Sequence, residues 1–220
     1  MASRLVILGA GGHARAVADL AVACGFTVAG FTDRAPGPGV IGTDADLAAL
    51  ARAGRIDGAV VGVGNTALAR RAELFALLQA AGVDTPALVH PRAVVSPSCR
   101  VGAGATVFPG VLGAGVTVGE NAVIYSGVVA EHDCGIGAHA YLAPGAILSG
   151  AVVVENGAFV GAGAVILPNV VVGAGAVVAA GAVVTASVRA GVTVVGVPAR
   201  AQAAAEPSRA PAARSEVEAP

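Results

Sequence analysis

From Leu112 to Val184 an aliphatic residue returns at every sixth position, thirteen times in succession, with Ala130 the single small one. Four residues after each stands a small or β-branched partner, from Val116 through Val188. A fixed short period marks a solenoid, in which each repeat buries its apolar side only against the next. Val89, Val95, Val101 and Val107 carry the same register upstream, and the five-residue step from Val107 to Leu112 places a shortened turn around Pro109-Gly110. With three faces per coil, residues 18 apart stack, and the four upstream and thirteen downstream positions make seventeen steps, between five and six coils.

The first 86 residues follow other periods. Arg4 to Leu8 is a compact apolar run that ends in Gly9-Ala10-Gly11-Gly12-His13-Ala14, a tight glycine turn between a strand and a helix. Val17, Leu20, Ala21 and Cys24 fall on one helical face, and Gly25 stands where a left-handed cap would end it. Phe26 to Phe31 reads as a second strand leading to Asp33. Thr43 and Asp46 fit a capping box opening a helix through Ala53, ended by Gly54. Gly58 to Val63 is a third strand, and Asn65 is placed to cap a helix carrying Leu68, Leu74, Phe75 and Leu78. Three strands alternating with helices predict a small Rossmann-like α/β domain over 1–86 with a parallel sheet. The all-β solenoid follows over 87–200, and residues 201–220, with too few apolar side chains to order themselves, read as a disordered tail.

Composition supports this division. A chain of 220 residues with 55% hydrophobic content is not disordered over most of its length. Its 32 glycines, two tyrosines and no tryptophan suit a narrow interior of stacked strands. Thirteen basic residues against fourteen acidic ones give a net charge of −1, which excludes the basic footprint of a nucleic-acid or anionic-membrane binder. Cys24, Cys99 and Cys134 show no CxxC spacing and read as free thiols in a reducing compartment. Met1-Ala2-Ser3-Arg4 runs straight into the first strand with no cleavage pattern, so a cytoplasmic protein is expected. The uncharged stretch from Asn156 to Val188 is long enough to suggest a membrane span. Its six-residue glycine punctuation and Pro168-Asn169 argue for buried solenoid strands instead.

A glycine turn entering a helix aims backbone N–H groups at an anion, usually a phosphate. Gly9, Gly11 and Ala14 also fit the loose G-x-G-x-x-A pattern, with Asp33 about twenty residues on. Three strands are about half of a dinucleotide fold, so a mononucleotide or a nucleotide-sugar fits better than NAD. The same glycines would also serve a helix that merely packs closely on its sheet, and both readings stand.

The opening LGAGGHARAVADLA, the GFTD after the second strand, the stretch GVVAEHDCGIGAHAYLAPGAILSG and the closing VVGVPAR together resemble the hexapeptide-repeat sugar N- and O-acetyltransferases of the bacillosamine and sialic-acid pathways. The resemblance implies a left-handed parallel β-helix of triangular section and a homotrimer with active sites between neighbouring prisms. It implies acetyl transfer from acetyl-CoA to the amine of a nucleotide-linked amino-deoxy sugar. His132 would be the general base and Asp133 the carboxylate that orients it. A sugar ammonium must lose a proton before it attacks a thioester, and imidazole titrates near neutrality, where that task is done. Gly150, 18 residues beyond His132, would offer a backbone N–H to the developing oxyanion. Acetyl-CoA contacts are implied at Tyr141, Ala162 and Ala180, in a column that would run from Pro144 to Pro198. Nucleotide and sugar contacts are implied at Gly11, Gly12, His13, Asp33, Arg34 and Gly64. The chain departs from the family with Tyr125-Ser126-Gly127 in place of a common NTG, Tyr141 in place of a second histidine, and Asp33-Arg34 in place of two acidic residues. These departures bear on acceptor choice, cofactor geometry and the preferred base or sugar.

Other readings remain at this level. His132 with Glu131 and Asp133 also fits a solvated corner of no catalytic consequence. The same fold supports O-acetylation, as in sialic-acid modification, and a non-catalytic trimeric scaffold. A zinc hydrolyase of the carbonic-anhydrase kind would need three converging histidines. His13 and His90 lie outside the repeat core and His132 and His139 fall on different faces, so no metal is expected. The 18-residue rule stacks His139 on Asn121, a plain structural partner. Ala130, directly before Glu131-His132-Asp133, is expected to let that corner sit differently from its neighbours.

Overall fold

The computed structural model describes residues 2–202. The N-terminal domain runs β1 (Arg4–Leu8), α1 (Gly12–Ala23), β2 (Thr27–Thr32), β3 (Val40–Gly42), α2 (Leu47–Arg52), β4 (Gly58–Val61) and α3 (Leu68–Ala80). All its strands are parallel, in the order β3-β2-β1-β4. The sheet thus has four strands where three were expected, because Val40-Ile41-Gly42 is too short to show a period. Leu5 to Leu8 are all buried, as a strand covered on both faces requires. Val17, Leu20 and Ala21 of α1 pack on Leu5, Ile7 and Val60. Leu47, Leu50, Leu74 and Leu78 of α2 and α3 pack on Val6, Leu8 and Val61 from the other side.

Helix ends follow the expected residues with one exception. Gly25, Gly54 and Gly82 adopt φ of 87°, 62° and 63°, the left-handed region where glycine ends a helix without steric cost. Asp46 accepts the Thr43 N–H at 2.7 Å and its hydroxyl at 2.9 Å, although the segment opens as a 3₁₀ turn, Asp44–Asp46. Asn65 does not cap α3. It begins the 3₁₀ turn Asn65–Ala67, its side chain makes no capping bond, and the α-helix starts three residues later at Leu68.

Seventeen two-residue strands, from Leu88–Val89 to Val183–Val184, then wind a parallel β-helix of triangular section. They sort into three sheets of eight, six and five strands, the first including two further strands that close the prism. Partners on successive coils are 18 residues apart, as in Val123 with Tyr141 and Tyr141 with Phe159. Pairings that straddle Pro109-Gly110 are one residue shorter, as in Val94 with Val111, which absorbs the step there. Leu112, Ile124, Leu142 and Ile166 point inward and are fully buried, as are the partners Val116, Ala122 and Val128 four residues on. The two sequence columns are therefore the two walls of one dry core.

The N-terminal domain sits on the eight-stranded face, where Leu88, Phe108 and Tyr125 join the α1 core and Leu68 packs against Val123, Tyr141 and Ala143. The six-stranded face presents outward a column of aliphatic residues, among them Val94, Val111 and Ile147, which remain exposed. Edge I joins the eight- and six-stranded faces, edge II the six- and five-stranded faces, and edge III closes the triangle.

Three expectations are corrected by the solenoid. Ala130 pairs in register with Leu112 below and Leu148 above, and Asp133 takes φ 59° like His139 at 60°, Ala151 at 57° and Asn169 at 61° on other corners. The corner at Ala130 is therefore regular: ladder hydrogen bonds, not the size of the inward side chain, set where a corner stands. Pro198 does not continue the column of Ala180, because the last coil is 16 residues long, pairing Val177 with Thr193, and its register brings Gly196 to that place. Finally, Ala201, expected to open a disordered tail, lies in the antiparallel strand Arg200–Ala201 on Val194-Val195. Residues 203–220, the rest of that tail, lie outside the described residues.

Candidate active site

Edge II carries the chemistry read from the sequence. The ring of His132 and the carboxylate of Asp133 meet at 2.9 Å between Nδ1 and Oδ2, on side chains 64% and 70% exposed. With a carboxylate as acceptor, the neutral ring would carry its proton on Nδ1 and keep the lone pair of Nε2. That is the tautomer a general base needs. The coil above brings Ala151 N–H onto the His132 carbonyl at 2.8 Å, which stacks Gly150 on His132 as the 18-residue rule expects. A Cβ placed on Gly150 would stand 2.5 Å from His132 Nε2, so only glycine leaves the imidazole where it is. Among the described residues the Gly150 N–H donates to no acceptor, which leaves it available beside Nε2.

The N-terminal residues gather elsewhere. Gly11 caps α1, and Gly12 and His13 form its first turn, whose N–H groups have no partner within a helix. This turn lies at the switch point of the sheet, between the carboxyl ends of β1 and β4, where α/β folds bind ligands. Asp33 accepts the N–H of Ala35 at 3.2 Å and that of Ala10 at 3.0 Å, and these bonds hold its carboxyl below the usual range. The close packing foreseen for the turn falls on Gly62 after β4 rather than on Gly11 or Gly12, where a Cβ would meet no backbone atom within 4 Å. Ala14 packs so closely on Gly62 of the segment after β4 that a Cβ on Gly62 would reach within 2.9 Å of it. Gly64 faces His13 in the same manner, with a Cβ meeting that of His13 at 3.2 Å.

His13 itself is half-buried, with its ring nitrogens enclosed between the domains. Its ring lies 5.8 Å from Tyr125 and 5.9 Å from Tyr141, and Phe108, Tyr125, Tyr141 and Phe159 form a ladder across the eight-stranded face. Burial, with the nearby charge of Arg71, lowers the His13 pKa to about 4, and its two ring nitrogens have no partner among the described residues. Burial pushes the Tyr141 hydroxyl up to about 12. Tyr141 thus belongs to the seam beneath the N-terminal domain. Ala162 and Ala180 stand one above the other on edge I, tied by the Gly181 N–H to the Ala162 carbonyl at 2.8 Å.

Beside Asp33 and Arg34 a cleft of about 440 Å³ is lined by Thr32, Asp44 and Arg70. Asp44 accepts the Thr32 hydroxyl at 2.7 Å and Arg70 at 2.8 Å. Sequence reasoning missed Asp44 and Arg70, which stand 26 residues apart and are joined only by the fold. Their types are common surface residues, and no local spacing singles them out.

Within one chain these sets do not meet. His132, Asp133 and Gly150 occupy edge II, Ala162 and Ala180 edge I, and the nucleotide-site residues the domain above the eight-stranded face. Among the described residues no group of three or more histidine, cysteine or acidic side chains is gathered to hold a metal ion. No helix among them is long and apolar enough to cross a membrane.

Known proteins are similar to both parts of the chain. Residues 4–75 match the PglD N-terminal domain, and residues 151–186 match the bacterial transferase hexapeptide family of six repeats. A comparison with curated protein sequences finds no match. A histidine-to-alanine mutant of GDP-perosamine N-acetyltransferase from Caulobacter crescentus, in complex with CoA and GDP-perosamine, is 36% identical with a TM-score of 0.87, over 91% of this chain and 97% of that one. The acetyltransferase domain of PglB from Neisseria gonorrhoeae, in complex with acetyl coenzyme A, is 33% identical with a TM-score of 0.85, over 92% and 100%. WeeI from Acinetobacter baumannii is 29% identical with a TM-score of 0.77, over 90% and 99%.

Proposed function

The chain belongs to the acetyl-CoA-dependent sugar N-acetyltransferases built from a PglD-type domain and a left-handed hexapeptide β-helix, and we propose that it acetylates a nucleotide-linked amino-deoxy sugar with His132 as general base. The observation that carries this reading is the convergence of His132 Nε2, oriented through Asp133 at 2.9 Å, with a glycine amide that has no other acceptor.

His132 Nε2 takes the proton from the sugar amine as nitrogen approaches the thioester carbonyl, and Asp133 stabilises the imidazolium that forms. The Gly150 N–H meets the charge that develops on the carbonyl oxygen. Collapse expels the CoA thiolate, which the imidazolium can reprotonate, so the base ends the cycle neutral. The α1 turn at Gly11, Gly12 and His13 holds the diphosphate, and Asp33, Arg34 and Gly64 flank the nucleoside and sugar. Ala162 and Ala180 are small enough at edge I for an extended pantetheine arm to lie against them, beside Tyr141.

This reading requires two chains. Edge II of one prism must face edge I and the N-terminal domain of another, which a heterologous interface repeated around a threefold axis would achieve. The uncharged aliphatic column of the six-stranded face, with Val94 65% exposed, is a surface such a homotrimer would cover. Cys24, Cys99 and Cys134 as free thiols fit a cytoplasmic enzyme.

The test is CoA release from acetyl-CoA with a panel of GDP-, UDP- and dTDP-linked amino sugars and their hydroxy counterparts. Release with an amino sugar, giving an amide stable to hydroxylamine, is expected. Release confined to hydroxy sugars would show an O-acetyltransferase. No release with any acceptor, together with no heat on titrating acetyl-CoA, would leave only a scaffold.

A further inference from the structure

Arg71 of α3 is fully buried at the seam between the two domains, and among the described residues no carboxylate pairs with it. Burying a guanidinium without a counter-ion is costly unless its donors are matched. Here Nη1 and Nη2 are matched by polar groups of two domains, and Nε alone is left without a partner among the described residues. Nη1 donates to the carbonyls of Val61, at 3.5 Å, and Val63. Nη2 donates to Asn121 O at 3.0 Å and to Asn121 Oδ1 at 3.1 Å. Asn121 answers with an Nδ2 bond to the Arg71 carbonyl at 3.1 Å and another to His139 Nδ1 at 3.0 Å.

The partners lie at telling places. Val61 ends β4, and Val63 lies in the segment after it whose Gly64 packs on His13, beside the first turn of α1. Asn121 holds a corner of edge III in the left-handed conformation, φ 52°, and His139 holds the corner one coil on. Arg71 therefore ties the ligand-facing end of the sheet to one coil of the prism, and Asn121 carries the link to the next. Phe75 on the same helix, 5.7 Å from the His139 ring, shows that an apolar side chain can fill this seam. What arginine adds is direction: a planar fork whose bonds exist in one relative placement of the domains.

We propose that Arg71 is a positioning residue for acetyl transfer, fixing the nucleotide-sugar half-site on the prism through Val63 and Asn121 and so setting where the amine stands relative to the base. The proposal rests on the acetyltransferase reading above. Half-sites on separate bodies produce a reactive geometry only when the bodies are held, and misplacement by about 1 Å costs roughly a hundredfold in rate.

The test is Arg71→Met, similar in bulk and without donors, on the full-length protein. With acetyl-CoA and the best amino sugar, kcat is expected to fall about 10- to 100-fold. Dissociation constants measured by calorimetry with CoA and with the matching nucleoside diphosphate should stay within about threefold, since each half-site is intact. Hydrogen exchange should speed up together in peptides covering 61–65 and 119–122 and remain unchanged in α1. Should the variant not fold, Asn121→Gly suits the left-handed backbone and removes the side-chain bonds, with a fall of about 3- to 10-fold expected. Wild-type kcat in the folded variants would overturn the proposal, as would a loss wholly accounted for by weaker nucleotide binding. If the wild-type chain acetylates no amino sugar, the function reading fails on its own. The exchange measurement then decides, and unchanged protection of 61–65 in Arg71→Met overturns the clamp.

Discussion

Two corners of the same coil carry a histidine each and use it in opposite ways. On edge II, His132 is exposed, bonded to a carboxylate at 2.9 Å, and stacked under a glycine that leaves its Nε2 open. On edge III, His139 accepts from the Asn121 amide at 3.0 Å and meets Phe75 edge-on at 5.7 Å, and burial with the nearby Arg71 lowers its pKa. The backbone frame is the same, with left-handed φ of 59° at Asp133 and 60° at His139. Chemistry at a solenoid corner is therefore decided by what the next coil and the neighbouring domain place over it. A carboxylate and an open amide make a candidate base, whereas an amide, an aromatic ring and a buried cation make a joint.

The contrast is tested most severely by removing the exposed histidine. His132→Ala should cost at least about a hundredfold in kcat, the scale of general-base catalysis, while the protein elutes and melts as wild type. Near wild-type turnover would assign the base to another group. Gly150→Ala attacks the same corner from above. Its methyl would need space 2.5 Å from His132 Nε2, so the imidazole must turn away, and a fall of about tenfold or more in kcat is expected at little cost in melting temperature. A Gly150→Ala enzyme as active as wild type would show that the stacking has no catalytic meaning.

The smallest effect sharpens the other side of the comparison, that burial in the seam keeps a histidine neutral. His13 has its folded pKa lowered to about 4, against about 6.5 in an unfolded chain. Between those values the unfolded state binds the proton and the folded state does not. The stability tied to neutral His13 is thus fully present above about pH 6.5 and is lost as pH falls toward 4. His139 shifts in the same direction and adds to the slope. Thermal melts from pH 7.5 to pH 4 should lose stability more steeply for wild type than for His13→Gln. Parallel curves would mean that His13 is not kept neutral by the fold.

Much of the solenoid was legible because its physics is periodic. Leu112 to Val184 could be placed by counting, the step at Pro109-Gly110 by a missing residue, and the contacts of Gly150 with His132 and of His139 with Asn121 by the number 18. The count failed where the coil changed length, so Pro198 was misplaced, and where a side chain was asked to move a backbone, as at Ala130. In the N-terminal domain the helices were visible by their faces, but Val40–Gly42 offered only three residues. Asn65 had the right type for a cap in a segment that turns as 3₁₀ first. Arg71, Asp44 and Arg70 were illegible for a different reason: each gains its role from a partner far away in the chain, and nothing in local spacing announces a buried guanidinium held by carbonyls. The motif around His132 showed which residues stand on edge II. The fold adds that Ala162 and Ala180 stand on edge I, with a whole face of the prism between them.

That separation makes the central claim testable by mixing. His132→Ala removes the base on edge II, and Ala162→Trp obstructs edge I, so each variant alone should be inactive. In co-expressed mixed trimers, one interface in three joins an intact edge II to an intact edge I, and random assembly gives about a quarter of wild-type activity. Recovery to that level is the expected result. A mixture no more active than its two components would contradict an active site built between neighbouring chains.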